Sequence, residues 1–202
     1  MNLLGFALAV LLIELTPGPN MAWLAGLAAT EGRRAGLAAV WGVALGLLAN
    51  GLLAALGLAA LLQAAPQLWT ALRLAGAAMM LWLAIDTWRG AGLPVATAAQ
   101  GGIQRRAFLT GAFINLLNPK AYVFFMVIAP QFMGGHMLSL RNAFLLASIS
   151  TGIATLIHLG IVAAGAGAHR LLGDKARMRT VRRLFALVML AVAASFLLAD
   201  LG

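Results

Sequence analysis

Long apolar stretches separated by short polar punctuation make up most of this chain, and six of them are long enough to cross a bilayer. They run approximately over 3–29, 35–62, 67–88, 107–133, 142–168 and 181–200, against the roughly 20 residues a helix needs to span the hydrocarbon core. The dividers are Glu31-Gly32-Arg33-Arg34, then Gln63 to Pro66, then the Gly-, Pro-, Thr- and Gln-rich segment from Arg89 to Arg106. Gly134-Gly135-His136 to Arg141 and the basic run from His169 to Arg183 complete them. The pattern predicts an all-α integral membrane protein. Met1 to Ile13 has no Lys or Arg before it and continues through Glu14 and Pro17 without an A-x-A cleavage pattern. It reads as the start of the first transmembrane helix, not as a cleaved signal peptide.

Composition strengthens this reading. Of 202 residues, 63% are hydrophobic and 9% charged, and 23 glycines come on top of that apolar share. A water-soluble domain is roughly 45–50% apolar and about a quarter charged, so a monomeric soluble fold could not hide this surface. The absence of cysteine removes disulfide scaffolds, CxxC redox sites and cysteine nucleophiles.

The net charge of +9 then bears on topology, not on nucleic acid. The segments after spans one, three and five carry Arg33, Arg34, Arg89, Arg105, Arg106, Arg170, Lys175, Arg177, Arg179, Arg182 and Arg183, whereas the other side has Arg73 and Arg141. The odd loops are therefore expected in the cytoplasm and both termini outside. Trp69 and Trp88 fall near opposite ends of span three, where interfacial aromatics sit. Arg182 and Arg183, at the start of span six, are expected to snorkel to the interface.

Two spans are interrupted near their middles, the first by Thr16-Pro17-Gly18-Pro19-Asn20 and the fourth by Asn118-Pro119-Lys120. Proline has no N–H to donate and clashes with the preceding turn, and in hydrocarbon the freed polar groups must be satisfied by protein or water. A pair of proline kinks that only shape packing is the simpler alternative. The two breaks, however, stand at the same place in each three-span half, and three is an odd number of crossings. The expectation is a single transmembrane domain over 1–202. It comprises an inverted repeat of about 1–90, a cytoplasmic linker of about 89–106, and a second repeat of about 107–202. Matched broken helices point to a transport site at the midplane. Each restarted half-helix turns its positive end toward that depth, which favours an anion.

Charges lie beside both breaks. Glu14 is about one turn before the first and Lys120 within the second, and an intramembrane charge is a functional candidate by default. Lys120 and the free amides are expected to hold a carboxylate, and Glu14 an ammonium or a coupling proton; the alternative is a structural Glu14–Lys120 ion pair. The candidate substrate site is thus Glu14, Thr16, Pro17, Gly18, Pro19, Asn20, Asn115, Asn118, Pro119 and Lys120. Asn50 and His158 are pathway candidates, or else a helix-bridging amide and a packed imidazole. Asp86 is expected to pair with an arginine such as Arg89.

Gly32, Gly36, Gly42 and Gly46 give two G-x-x-x-G spacings, which serve either an internal contact or a homodimer. His136, His158 and His169 are too scattered for a metal site, and no prosthetic group is implied.

At these same residues the chain resembles the LysE-type exporters, which include the lysine and the homoserine/threonine exporters. The resemblance rests on Leu15-Thr16-Pro17-Gly18-Pro19-Asn20, on Gly32-Arg33-Arg34-Ala35-Gly36-Leu37 and on Gly42-x-x-x-Gly46. It continues in Asn115-Leu116-Leu117-Asn118-Pro119-Lys120-Ala121, Phe124-Phe125 and Ala129-Pro130-Gln131-Phe132. Glu14 is outside these motifs. The resemblance implies export of amino acids or close derivatives from the bacterial cytoplasm across the inner membrane, driven by protons. A passive channel is the alternative. A membrane enzyme acting on lipid phosphates would want clustered carboxylates or histidines, which five acidic residues spread along the chain do not supply.

Overall fold

The computed structural model describes residues 1–16, 18–57, 61–62, 64–90, 100–133, 140–171 and 175–198. Every regular element among them is helical: α1 Leu3–Leu15, α2 Pro19–Glu31, α3 Arg33–Ala55, α4 Pro66–Gly90, α5 Gln100–Leu116, α6 Pro119–Val123, α7 Leu140–Leu171 and α8 Lys175–Leu198. Helix α6 runs on as a π turn, Phe124–Ile128, and a 3-10 turn, Ala129–Phe132. Pro130 explains the change of winding, since it has no N–H for the carbonyl one turn back. The Gln131 side chain then donates to the Val127 carbonyl at 3.1 Å.

Helices α3, α4, α7 and α8 are each long and apolar enough to cross a membrane. Two bent pairs, α1 with α2 at 56° and α5 with the segment from Pro119 to Phe132 at 49°, would make six spans if each pair counts as one. Large apolar side chains face outward, with Leu4 74% and Leu156 72% exposed. That surface requires lipid.

Several boundaries differ from the sequence reading. Helix α3 ends at Ala55, short of 62, because Gly57 adopts φ 92 and closes the helix end. Helix α5 begins at Gln100, so Arg105 and Arg106 lie on a helix and not in a linker reaching 106. Helix α8 begins at Lys175, so most of the basic run between His169 and Arg183 is helical. Trp69 is buried with Leu62, Tyr122 and Met126 and is no interfacial residue. Trp88 is exposed, and the Arg183 guanidinium stands 5.4 Å from its ring centre. Gly134, Gly135 and His136 lie outside the described residues.

Close packing of α3 on α5 explains the glycines. A Cβ on Gly42 would stand 1.9 Å from the Phe108 carbonyl oxygen, and one on Gly46 2.6 Å from that of Ala112. Reciprocally, a Cβ on Gly111 would stand 2.5 Å from the Ala39 oxygen. Gly36 instead meets Val162 of α7. These glycines serve contacts within the chain, and a second copy would have to use another face.

The core is in two apolar layers. One gathers Trp23, Leu24, Val40, Val43, Met80 and Val162 with their neighbours; the other gathers Phe6, Val10, Leu47, Phe124, Phe125 and Leu146. Along α3 the layers meet between Val43 and Leu47, and along α7 His158 stands between Ala154 of one and Val162 of the other. Polar side chains fill the level between them.

Candidate functional site

The first break is made by extended backbone at Thr16 (ψ 120) and Gly18 (φ −147, ψ −180), after which Pro19 starts α2 at its first position. Proline suits that place because the N–H it lacks would have no helical acceptor. No side chain caps α2, so its first amides stay available. At the second break Asn118 is extended (φ −85, ψ 109), and its Oδ1 accepts the Lys120 N–H at 3.1 Å ahead of Pro119. Of the two positive helix ends expected from the sequence, that of α2 is uncapped. The other is capped by Asn118 and opens only five α-helical residues.

Lys120 joins the breaks. Its Nζ donates to the carbonyls of Ile13 at 2.9 Å and Thr16 at 3.3 Å at the end of α1, where the Ile13 carbonyl also accepts the Thr16 N–H at 3.1 Å. The same ammonium lies 3.7 Å from where a Gly18 Cβ would stand. A cation and an uncapped helix N-terminus therefore converge at one point, which is the electrostatics an anion needs.

Glu14 faces a different partner. Its Oε2 stands 4.0 Å from Nε2 of His158, which is 1% exposed. With Lys120 engaged by carbonyls, a direct Glu14–Lys120 ion pair is not what ties the breaks together. Their charges still interact across the same cavity.

Glu14, Thr16, Gly18, Pro19, Asn20, Asn115, Asn118, Lys120 and His158 all line one cavity. Asn50 stands behind it and donates to the Asn115 carbonyl at 2.8 Å, and Pro119 is buried at the start of α6. Pro17 lies outside the described residues. Ser150, 2% exposed, is a lining residue that the sequence reading missed. It precedes His158 by two helical turns, so the signal was its place on the histidine's face.

Asn20 Nδ2 donates to Asn115 Oδ1 at 2.7 Å. That leaves Asn20 Oδ1, Asn115 Nδ2, Asn50 Oδ1 and His158 Nε2 buried with no hydrogen-bond partner among the described residues. Buried polar atoms are normally paired, so acceptors and donors are concentrated here for something other than internal bonding. The cavity itself is about 30 Å³, room for about two waters at roughly 10–15 Å³ each.

A family model for LysE type translocators matches residues 11–200. The chain belongs to that family. Its members are translocators and not enzymes, and this one is a multi-pass membrane protein by its helices. A homoserine/homoserine lactone efflux protein of Salmonella typhimurium is 34% identical over 128 residues, 63% of this chain and 62% of that protein. An uncharacterized membrane protein of Pseudomonas aeruginosa is 38% identical over 133 residues, 63% of this chain and 62% of the relative. A threonine efflux protein of Escherichia coli is 26% identical over 144 residues, 67% and 68% of the two chains. The chain thus spans about 62% of the length of the first two of these relatives. No solved structure matches it.

Proposed function

We propose that this LysE-type translocator exports amino acids or close derivatives from the bacterial cytoplasm across the inner membrane. In this reading each bent pair is one span, the odd loops are cytoplasmic and both termini are outside. The observation that carries it is the convergence of two broken helices on one cavity, where Lys120 and the start of α2 meet the carbonyl end of α1. A carboxylate entering there would take the Lys120 ammonium and the α2 amides, and an ammonium would take Glu14. The efflux relatives, named for homoserine and threonine, support small amino acids of that kind as first candidates.

An inverted repeat fits the helix neighbours. Span two (α3) packs on span four through α5, and span five (α7) packs on span one through both α1 and α2; the pairs α3 with α7 and α4 with α8 each join equivalent members of the two halves. Alternating access around the midplane fits a cavity that holds about two waters and must open to admit substrate. Protons are the proposed coupling ion, with Glu14 and His158 the groups placed to carry one. A passive channel differs in that its flux would ignore the proton gradient.

The test is release of amino acids from cells fed a panel of dipeptides, with the chain expressed, absent, or carrying Lys120→Met. Faster efflux of one or a few amino acids, lost in the variant, is the expected result. Identical release in all three, with the protein present in the membrane, would overturn amino-acid export.

A further inference from the structure

A second cavity, about 500 Å³, opens between α2, α4, α5 and α8 on the side that carries most of the arginines. It is far roomier than the midplane cavity, and α2 and α5 line both. On α2 the larger chamber reaches Ala22, two residues from Asn20; on α5 it reaches Thr110, five residues from Asn115. The Asn20–Asn115 hydrogen bond therefore stands where one cavity gives way to the other.

The chamber wall is built of paired opposite charges. Arg182 Nη2 donates to Glu31 Oε1 at 2.8 Å, and both side chains are mostly covered, 14% and 26% exposed. Arg106 meets Asp86 at 2.8 Å in a more open position. This is a different partner for Asp86 from the Arg89 that the sequence suggested. Arg89 also lines the chamber and has no hydrogen-bond or ion-pair partner among the described residues. Three arginines thus face two carboxylates, leaving one cation over. Arg182 passes over Gly90, where a Cβ would stand 2.8 Å from its Nη1.

We propose that this chamber is a second binding site, an entry site that receives a zwitterion before it reaches the midplane. It rests on the export reading above. A free amino acid brings a carboxylate and an ammonium a few ångströms apart, the same two groups that the Glu31–Arg182 pair presents. The surplus arginine, Arg89, receives the carboxylate, and Glu31 shares its oxygens between Arg182 and the ammonium. A zwitterion thus reaches both Arg89 and Glu31; a ligand without the carboxylate leaves Arg89 unpaired, and one without the ammonium forgoes the Glu31 contact.

The chain has no cysteine, so Thr87→Cys places one thiol on the chamber wall. In lipid nanodiscs, its rate of labelling by a charged maleimide should fall several-fold with homoserine or threonine. It should fall less with their N-acetyl forms, which keep only the carboxylate, and not with their methyl esters, which keep only the ammonium. Protection should persist in a Thr87→Cys, Lys120→Met protein and disappear with Glu31→Gln. Arg182→Lys, which keeps the charge, should weaken but retain it. Labelling unaffected by any zwitterion, or equally affected by the one-charge analogues, would overturn the proposal. So would protection abolished by Lys120→Met, because it would then report the midplane site. Failure of the export reading itself shows separately, as unchanged cellular efflux.

Discussion

Asn20 and Asn115, ninety-five positions apart, are joined side chain to side chain by a 2.7 Å hydrogen bond between the first turn of α2 and the last turn of α5. It links the two half-helices that run from the breaks toward the arginine-rich side, and Asn50 secures the same corner through the Asn115 carbonyl. A buried bond of this kind is worth about 0.5–1.5 kcal/mol net. In the alternating-access reading proposed above, opening the midplane cavity toward the larger chamber parts α2 and α5 here. Asn20→Ala and Asn115→Ala should each ease that opening and shift the export rate in the same direction, and the double variant should differ little from either alone. A double-mutant cycle on transport rate checks this; fully additive changes would mean that the two side chains act independently.

Lys120 has a structural duty as well as a proposed substrate role, because its ammonium satisfies the Ile13 and Thr16 carbonyls. A hydrogen bond of this kind is worth about 0.5–1.5 kcal/mol net, and the Ile13 carbonyl keeps the Thr16 N–H when Lys120 is gone. Lys120→Met should therefore lower thermal stability in detergent by an amount in that range while the protein still inserts. Lys120→Arg should recover much of the stability. If export recovers with it to the same degree, Lys120 acts by holding the break; if export stays lost, the shape of the ammonium matters to the substrate.

Much of this arrangement was legible in the sequence, for reasons that differ by residue. The breaks at 16–20 and 118–120 could be found because proline has one backbone consequence wherever it stands. Intramembrane charge is rare enough that Glu14 and Lys120 identified themselves. Their partners were not legible. The sequence leaves a Glu14–Lys120 ion pair open as the alternative to a ligand site, whereas Lys120 donates to the carbonyls of α1 and Glu14 Oε2 stands 4.0 Å from His158. Such choices depend on how helices rotate against one another, and an apolar helix rich in Ala and Leu carries little periodicity to fix its rotation. Ser150 escaped notice for the same reason, and Gly42 could be seen to want a neighbour without showing which.

That neighbour gives a stability prediction. A Cβ at Gly42 would meet the Phe108 oxygen at 1.9 Å, and backbone cannot move aside as a side-chain tip can. Overpacking typically costs about 1–3 kcal/mol and sometimes more; with α3 and α5 both forced apart, Gly42→Val should sit at the upper end. Little folded protein should be recovered from the membrane. Gly152→Ala on α7, where nothing lies within 4 Å of the new carbon, should leave recovery and unfolding temperature unchanged. Equal behaviour of the two variants would show that α3 and α5 do not pack this closely.

Coupling to protons separates an exporter from a channel. Glu14 lines the midplane cavity, its Oε2 4.0 Å from an imidazole nitrogen that lacks a hydrogen-bond partner among the described residues. Glutamine keeps the size of the side chain and removes the proton that can be exchanged. In proteoliposomes loaded with homoserine, the unaltered protein should move substrate faster when a pH gradient is imposed. The Glu14→Gln protein should ignore that gradient and move substrate only down its own. The imidazole stands beside the carboxylate, so His158→Gln is the companion variant. If only Glu14→Gln loses the response, the carboxylate alone carries the proton; if both lose it, the pair works as one unit. An unaltered protein indifferent to the pH gradient would make this a facilitator, and Glu14 would then be left to the substrate ammonium.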